Sequence, residues 1–278
     1  MTTVTDRILT HREGACLTIT FNNPDRLNAM SKDMWLAAAD LLNAAGEDDT
    51  VRVVILTGAG DRAFVAGADI SKFADERANF EAQLDYGRAV EAMHVALKNL
   101  RKPTIARVNG YCIGGGLAIA IDCDLRLVSD KSTFAVPAAK LGLGYAASGV
   151  RTLRELVGPA FTAEIFYTAR QFTAEDARIM GLVNRVVPEA ELDGLVAQYV
   201  ETIANNAPLT IAAVKQTIIE LGKPDAGQDL ELCRELVETC FSSEDYQEGR
   251  LAFMEKRKPR FQGRRPDGRA TSLRAPPP

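Results

Sequence analysis

Histidine is scarce in this chain: His11 and His94 are the only two among 278 residues. Neither lies in an HxxxH pattern or at Cys/His ligand spacing, so no metal site is expected. His11 is close to the terminus, and His94, beside Met93 on a helical stretch, reads as a structural residue. The five cysteines, Cys16, Cys112, Cys123, Cys233 and Cys240, are odd in number and contain no CxxC pair. Cys16 and Cys112 sit in apolar, strand-like contexts. They read as reduced core thiols of a cytoplasmic protein rather than a disulfide framework. No apolar run approaches the roughly 18 residues that a membrane span requires. Residues 1–12 carry no apolar stretch ahead of a small-residue cleavage site, which argues against a secretory signal. GxxxxGK[ST] is missing, so there is no P-loop, and Gly114-Gly-Gly116 does not spell GxGxxG. Ser148-Gly149 lacks the upstream glycine of a nucleophile elbow.

What is present is ordinary in amount: 46% apolar and 25% charged residues suit a soluble protein with one large domain, or a core with an appendage. Charge is unevenly placed. Lys256 to Arg274 holds eight Lys/Arg and one Asp, a local +7, so the remainder carries −11 of the net −4. Aromatics in that segment stop at Phe261 and it ends in Ala-Pro-Pro-Pro. A solvated tail is expected, lending one or two cations to a ligand phosphate, with neither a nucleic acid nor a membrane as partner.

Strand and helix signals alternate over the first 190 residues, the pattern of an α/β architecture. Ala15 to Phe21 alternates as a half-buried strand and Asn22-Asn-Pro-Asp25 makes a turn. Met34 to Ala45 is a helix with Ser31 as N-cap and Gly46 as its close. Val51–Leu56, Thr104–Val108, Leu125–Val128, Phe134–Val136 and Val183–Val187 read as strands. Phe80, Leu84, Val90, Met93, Leu97 and Leu100 recur at helical spacing. Past Pro188 strand signals vanish, and 192–205, 209–221 and 229–241 form three amphipathic helices. The last presents Leu230, Cys233, Val237 and Cys240 on one stripe that must cover the core or a neighbouring subunit. The chain divides into a core (1–190), a helical oligomerisation region (191–262) and a basic, Pro-ending tail (263–278). No internal repeat is visible.

Two glycine-rich turns stand out: Phe64-Val-Ala-Gly-Ala-Asp-Ile70 and Asn109-Gly-Tyr-Cys-Ile-Gly-Gly-Gly-Leu117. Each follows a strand and leads toward a helical segment, so backbone N–H groups lack intrahelical partners there. Two such turns facing each other can hold one oxyanion between two donors. Either turn alone is equally explained by tight strand-to-helix packing.

The surrounding text resembles the enoyl-CoA hydratase/isomerase (crotonase) superfamily over residues 6–262. The blocks are Asn22-Asn-Pro-Asp-Arg-Leu-Asn-Ala29, Val53-Val-Ile-Leu-Thr-Gly58, the two turns, Lys102-Pro-Thr-Ile-Ala106 and Asp122-Cys-Asp124. They continue with Gly181-Leu-Val-Asn184, Ser243-Glu-Asp-Tyr-Gln-Glu-Gly249 and Ala252-Phe-Met-Glu-Lys-Arg257. The resemblance implies a spiral of ββα units with a C-terminal helical region that assembles trimers, often paired as hexamers. It also implies an acyl-CoA thioester ligand, CoA being part of the substrate and no separate cofactor being needed. By the motif, Ala68 and Gly115 supply the N–H pair for the thioester oxygen. Ala29, Ala66, Asp69 and Ile70 border the CoA moiety, the adenine lying against backbone of the last three. Arg26, and Lys256 from a neighbouring subunit, resemble cations that meet CoA phosphates; for Arg26 a solvated turn cation is an equal reading.

The departure from the pattern concerns chemistry. Hydratases of this family carry one glutamate two residues after the glycine triplet and another directly after the Pro of the next block. Here those positions are Ala118 and Ala138. Losing a general acid/base costs ~10²–10⁴-fold, so ordinary hydration is not expected. Lys140, Tyr145, Ser148 and Arg151 are the polar groups left nearby. Tyr145 aligns with a tyrosine of the family's decarboxylases, or else packs under the acyl chain. Three readings stay open: an enolate-stabilising acyl-CoA enzyme, a decarboxylase, hydrolase or C–C lyase using Tyr145 or Ser148, and a non-catalytic acyl-CoA binder.

Overall fold

The computed structural model describes residues 5–72, 76 and 78–264. Ten strands occur among them: β1 (Ile8–Glu13), β2 (Cys16–Phe21), β3 (Val53–Gly58), β4 (Ala63–Val65), β5 (Thr104–Val108), β6 (Tyr111–Ile113), β7 (Leu125–Ser129), β8 (Thr133–Ala135), β9 (Phe172–Thr173) and β10 (Arg185–Val187). They form a six-stranded sheet in the order β1-β2-β3-β5-β7-β10 and a four-stranded sheet in the order β4-β6-β8-β9. Only the β1–β2 and β8–β9 pairs are antiparallel. The helices are α1 (Lys32–Glu47), α2 (Phe80–Asn99), α3 (Gly115–Asp122), α4 (Ala147–Thr168), α5 (Ala174–Ile179), α6 (Leu192–Asn205), α7 (Pro208–Leu221), α8 (Leu230–Phe241) and α9 (Glu244–Met254).

The strand order reveals a repeat that the sequence does not. The pairs β3/β4, β5/β6 and β7/β8 each place their first strand in the larger sheet and their second in the smaller. A helix follows each pair, and successive turns hydrogen-bond in parallel. This is the expected crotonase-like spiral of ββα units. The larger sheet is covered on both faces. Val54 and Leu56 enter the main core with Trp35, Phe64 and Met93, whereas Val53 and Ile55 meet Ile105, Leu127 and, from α6, Leu192 and Val196. All six residues of β3 are therefore buried, and a two-faced strand reads as a continuous apolar run. Helix α6 thus completes the core.

Several local expectations change. Helix α1 runs on through Gly46 to Glu47, because Lys102 Nζ reaches the carbonyls of Ala45 and Asp48 and satisfies its end. Ser31 bonds the Asp33 carboxylate rather than a backbone N–H. The 22-residue α4 was not anticipated; Gly158-Pro159 forms a kink inside it, with Gly158 at φ 73°. The first glycine turn leads into a short 3-10 turn, Ile70–Lys72. Four α-helices, not three, follow Pro188 among the described residues. The α8 stripe leaves Leu230 and Val237 exposed, while Leu236 is the buried residue.

Gly263 and Arg264, the first two residues of the expected tail, are tied to the fold. Asp245 accepts the N–H groups of Gln262 (2.7 Å) and Gly263 (2.9 Å), Arg52 donates to Phe261 O, and Arg264 O accepts from Glu244 N. The rest of the expected tail, 265–278, lies outside the described residues. A second bolt is Glu248, held by a bidentate Arg257 (2.6 and 2.8 Å) and the Arg260 N–H (2.8 Å). The Arg257 guanidinium pulls its carboxyl down to about 2. A depressed carboxyl stabilises the fold above its ordinary value and stops doing so as pH falls through its folded value. Glu248→Gln is therefore expected to be less stable than the parent near neutrality, with the gap closing between about pH 4.5 and 2. Urea melts across that range check it; a gap independent of pH contradicts the assignment.

Candidate active site

The first glycine turn is built by hydrogen bonds that skip one residue. Ala66 N donates to Leu27 O (3.0 Å), Met30 N to Gly67 O (2.8 Å) and Asp69 N to Met30 O (2.8 Å). The Ala68 N–H lies between them and has no backbone acceptor among the described residues. Gly67 takes φ 101°, a conformation that admits little but glycine. The Asx-Pro segment supports this turn from behind. Leu27 and Asn28 are left-handed (φ 53° and 57°), and the buried Asn28 side chain accepts from Asn23 N and donates to Ala59 O and Ala63 O.

The second turn comes off β6. Gly114 donates to Ala135 O at 2.8 Å, and Gly115 opens α3, where the N–H groups of the first turn have no carbonyl to meet. At Gly116 an added Cβ would stand 2.0 Å from Val65 O, so only glycine lets α3 dock against β4. That docking brings the turns face to face. Ideal Cβ positions at Gly114 and Gly115 fall 3.9 Å from Cα and C of Gly67, the latter being the carbon bonded to Ala68 N. The other end of α3 is tied by Arg126, buried, which donates to Ala120 O, Cys123 O and Leu182 O. A cation there suits the helix dipole.

Other groups anticipated from sequence are distributed as follows. Ala29 is buried; Ala66 is half-buried and Ile70 exposed on the rim of the first turn. Asp69 is buried and accepts from Ser71 N and Oγ, a turn-forming pattern. Arg26 is exposed at the end of the 3-10 turn Pro24–Arg26. Lys256 lies beyond α9 and makes no described contact with either turn. Ala118 is half-buried and Ala138 buried. Tyr145 packs edge-on against Phe166 (4.8 Å) and beside Gly149, and burial together with Asp122 raises its phenol. Ser148, Lys140 and Arg151 are exposed.

Sequence reasoning missed the groups around these turns. Trp35 Cζ2 and Cη2 lie 3.4 and 3.6 Å from an ideal Cβ at Gly115, and Trp35 Nε1 donates to Tyr86 OH at 3.0 Å. Tyr86 OH in turn reaches Met30 O. His94 Nδ1 is 2.6 Å from Asp122 Oδ2, and Lys98 Nζ is 3.2 Å from Oδ1. The i, i+4 spacing of Ala118 and Asp122 was a usable signal; the partner on α2 was not. The core thiols are inert, burial pushing Cys123 up to about 12. Among the described residues no His/Cys/Asp/Glu group is placed to hold a metal, and no helix is long and apolar enough to cross a membrane.

The fold and the sequence around these turns match known proteins over most of the chain. Residues 11–264 match the model of the family described as enoyl-CoA hydratase/isomerase. The chain belongs to the enoyl-CoA hydratase/isomerase family. Within this crotonase superfamily it is 35% identical to a short-chain-enoyl-CoA hydratase of Clostridium acetobutylicum, covering 91% of this chain and 96% of the relative. It is 36% identical to a carnitinyl-CoA dehydratase of Escherichia coli, over 91% and 97% of the two chains. A crystal structure of an enoyl-CoA hydratase/carnithine racemase from Magnetospirillum magneticum superposes with a TM-score of 0.88 at 37% identity, covering 93% and 96%. An acyl-CoA-processing enzyme of this family is the function these likenesses support.

Asn28→Ala removes the partner of two carbonyls and one N–H at a left-handed position. The expected loss is about 1–3 kcal/mol for each buried group left unpaired, partly relieved by water. Urea denaturation measures it; a variant as stable as the parent refutes the pinning role.

Proposed function

We propose that the Ala68 and Gly115 N–H groups form the oxyanion hole for an acyl-CoA thioester, and that the enzyme works through the thioester enolate. The observation that carries this reading is the pair of donors on facing turns, neither with a backbone acceptor among the described residues. Charge reaches a thioester oxygen only as the enolate or a tetrahedral adduct forms, so fixed donors act mainly on the transition state. Ala66, Asp69 and Ile70 border the CoA moiety, Ala29 lies behind them, and Arg26 is an exposed cation available to a phosphate. CoA enters as part of the substrate, and no separate cofactor takes part.

Ala118 and Ala138 have no proton to exchange. Two-carboxylate hydration is therefore not the reaction of this site, and chemistry at the α-carbon is favoured. A decarboxylase or hydrolase route through Tyr145 or Ser148 has less support. The phenol is packed on Phe166 with its pKa raised, and Ser148 is an exposed residue of the first turn of α4.

Assembly follows from the helical end. A groove of about 880 Å³ is lined by α7, α8 and α9, with Val237, Phe241, Phe253 and Met254 exposed at its walls. A second copy of the chain covers it in a homotrimer or a dimer of trimers, which also brings Lys256 to a neighbour's CoA.

Proline is tolerated at the first helical position, so Gly115→Pro deletes one donor with modest damage to α3. The parent is expected to bind butyryl-CoA more tightly than the thioether analogue lacking the carbonyl oxygen, and Gly115→Pro to erase that preference. Calorimetry decides, circular dichroism reporting the fold. Equal affinity of the folded parent for both ligands contradicts the oxyanion hole. Crotonyl-CoA hydration by the parent is expected to run ~10²–10⁴-fold below that of two-carboxylate relatives.

A further inference from the structure

Gly115, Ala118 and Asp122 are spaced i, i+3, i+7 and share one stripe of α3. The first carries a donor of the turn pair, the second is an alanine where a carboxylate is expected, and the third is a carboxylate one turn farther on. Asp122 is held from two sides: its Oδ2 by His94 Nδ1 at 2.6 Å, its Oδ1 by Lys98 Nζ at 3.2 Å. Lys98 also donates to Thr152 Oγ1 on α4. His94 and Lys98 stand one turn apart on α2. The His94 ring lies 5.8 Å from the Trp35 ring, and the rim of that same indole lies against Gly115. The same indole therefore neighbours both the imidazole and the second donor of the pair.

The carboxylate fixes the tautomer. An ionised carboxylate only accepts, so Nδ1 carries a proton, and in the neutral ring the lone pair is then on Nε2. Nε2 makes no hydrogen bond to a described residue. It is also not one of the buried polar atoms without partners, which are Arg101 Nε and Thr133 Oγ1. The side chain keeps 17% of its surface exposed against 4% for Asp122. The free lone pair thus opens onto accessible space while the orienting carboxylate is shut in. The charged and titratable groups against the pair are Lys98 on α2 and Tyr145 ahead of α4, whose phenol feels Asp122.

We propose that His94 is the proton-transferring residue of this enzyme, oriented through Nδ1 by Asp122, in place of the two carboxylates missing at Ala118 and Ala138. The inference rests on the acyl-CoA reading. His94 Nε2 takes a proton from the α-carbon of the thioester. The C–H bond breaks, its electron pair becomes the enolate, and the oxygen gains negative charge between the Ala68 and Gly115 N–H groups. The imidazolium is stabilised by Asp122. Return of the proton, or of a deuteron exchanged from solvent, regenerates thioester and neutral imidazole with nothing oxidised or reduced.

The test is α-proton exchange of butyryl-CoA in D₂O, followed by mass, with affinity for butyryl-CoA measured beside it. The parent is expected to exchange. His94→Gln and His94→Ala are expected to slow exchange ~10²–10⁴-fold, the range for a general base, with affinity changed less than about threefold. Asp122→Asn slows exchange in a protein that still binds and melts as the parent does. Added imidazoles restore exchange to His94→Ala, faster for the more basic imidazoles, a response that repacking does not give. Exchange at the parental rate in His94→Gln, or a parent that binds butyryl-CoA without exchanging it, overturns the proposal. A parent that fails to bind butyryl-CoA instead overturns the acyl-CoA reading. If the His94 variants do not fold, parental exchange in Asp122→Asn still overturns the dyad.

Discussion

One steric constraint underlies the arrangement: at Gly116 the backbone of α3 runs against the Val65 carbonyl with no room for a side chain. Interiors are close-packed, so a contact of this kind cannot be relieved by a small local shift. Because α3 docks so closely on β4, its first N–H groups arrive beside the turn that leaves β4. The donor pair is thus a consequence of packing. The same contact fixes the stripe of α3 that bears Ala118 and Asp122, and so fixes what chemistry can be brought near the donors.

Buried polar groups hold this arrangement in register. Asn28 bridges the Asx-Pro segment to the strand that feeds the first turn, and Arg126 closes the C-terminal end of α3 on three carbonyls. Such groups contribute modestly when satisfied and cost heavily when one partner is lost, so they select one conformation. Asp69, whose position invites a catalytic reading, is spent on Ser71 and the shape of its own turn. On the proposed reading the binding half of the site is conventional for the family. The proton-transfer half has moved one helical turn along α3 and across to α2. Electrostatic holding of an enolate and movement of a proton are separable tasks.

The family, the α/β class and the two turns were legible in the residues. Gly67 and Gly114 adopt left-handed backbone that glycine accepts readily, and Gly116 a contact that excludes any Cβ, so their chemistry shows in the text. Less was legible where elements are short or interrupted: β4 and β6 have three residues each, and Gly158-Pro159 kinks α4. His94 read as structural because it stands beside Met93 on a helical stretch and its carboxylate partner, Asp122, is 28 residues away. Tyr145 was ambiguous, and its neighbours Phe166 and Gly149 tip it toward packing.

By itself the sequence determined the alternation of strands and helices, the glycines that shape the turns, and the alanines at 118 and 138. These depend on the backbone freedom and side-chain chemistry of single residues and their neighbours. Only the tertiary structure decided that the turns face each other, that Trp35 backs Gly115, and that Asp122 meets His94 across 28 residues of chain. A hydrogen bond between side chains of two helices exists only once those helices pack, and no local pattern encodes which face each will present.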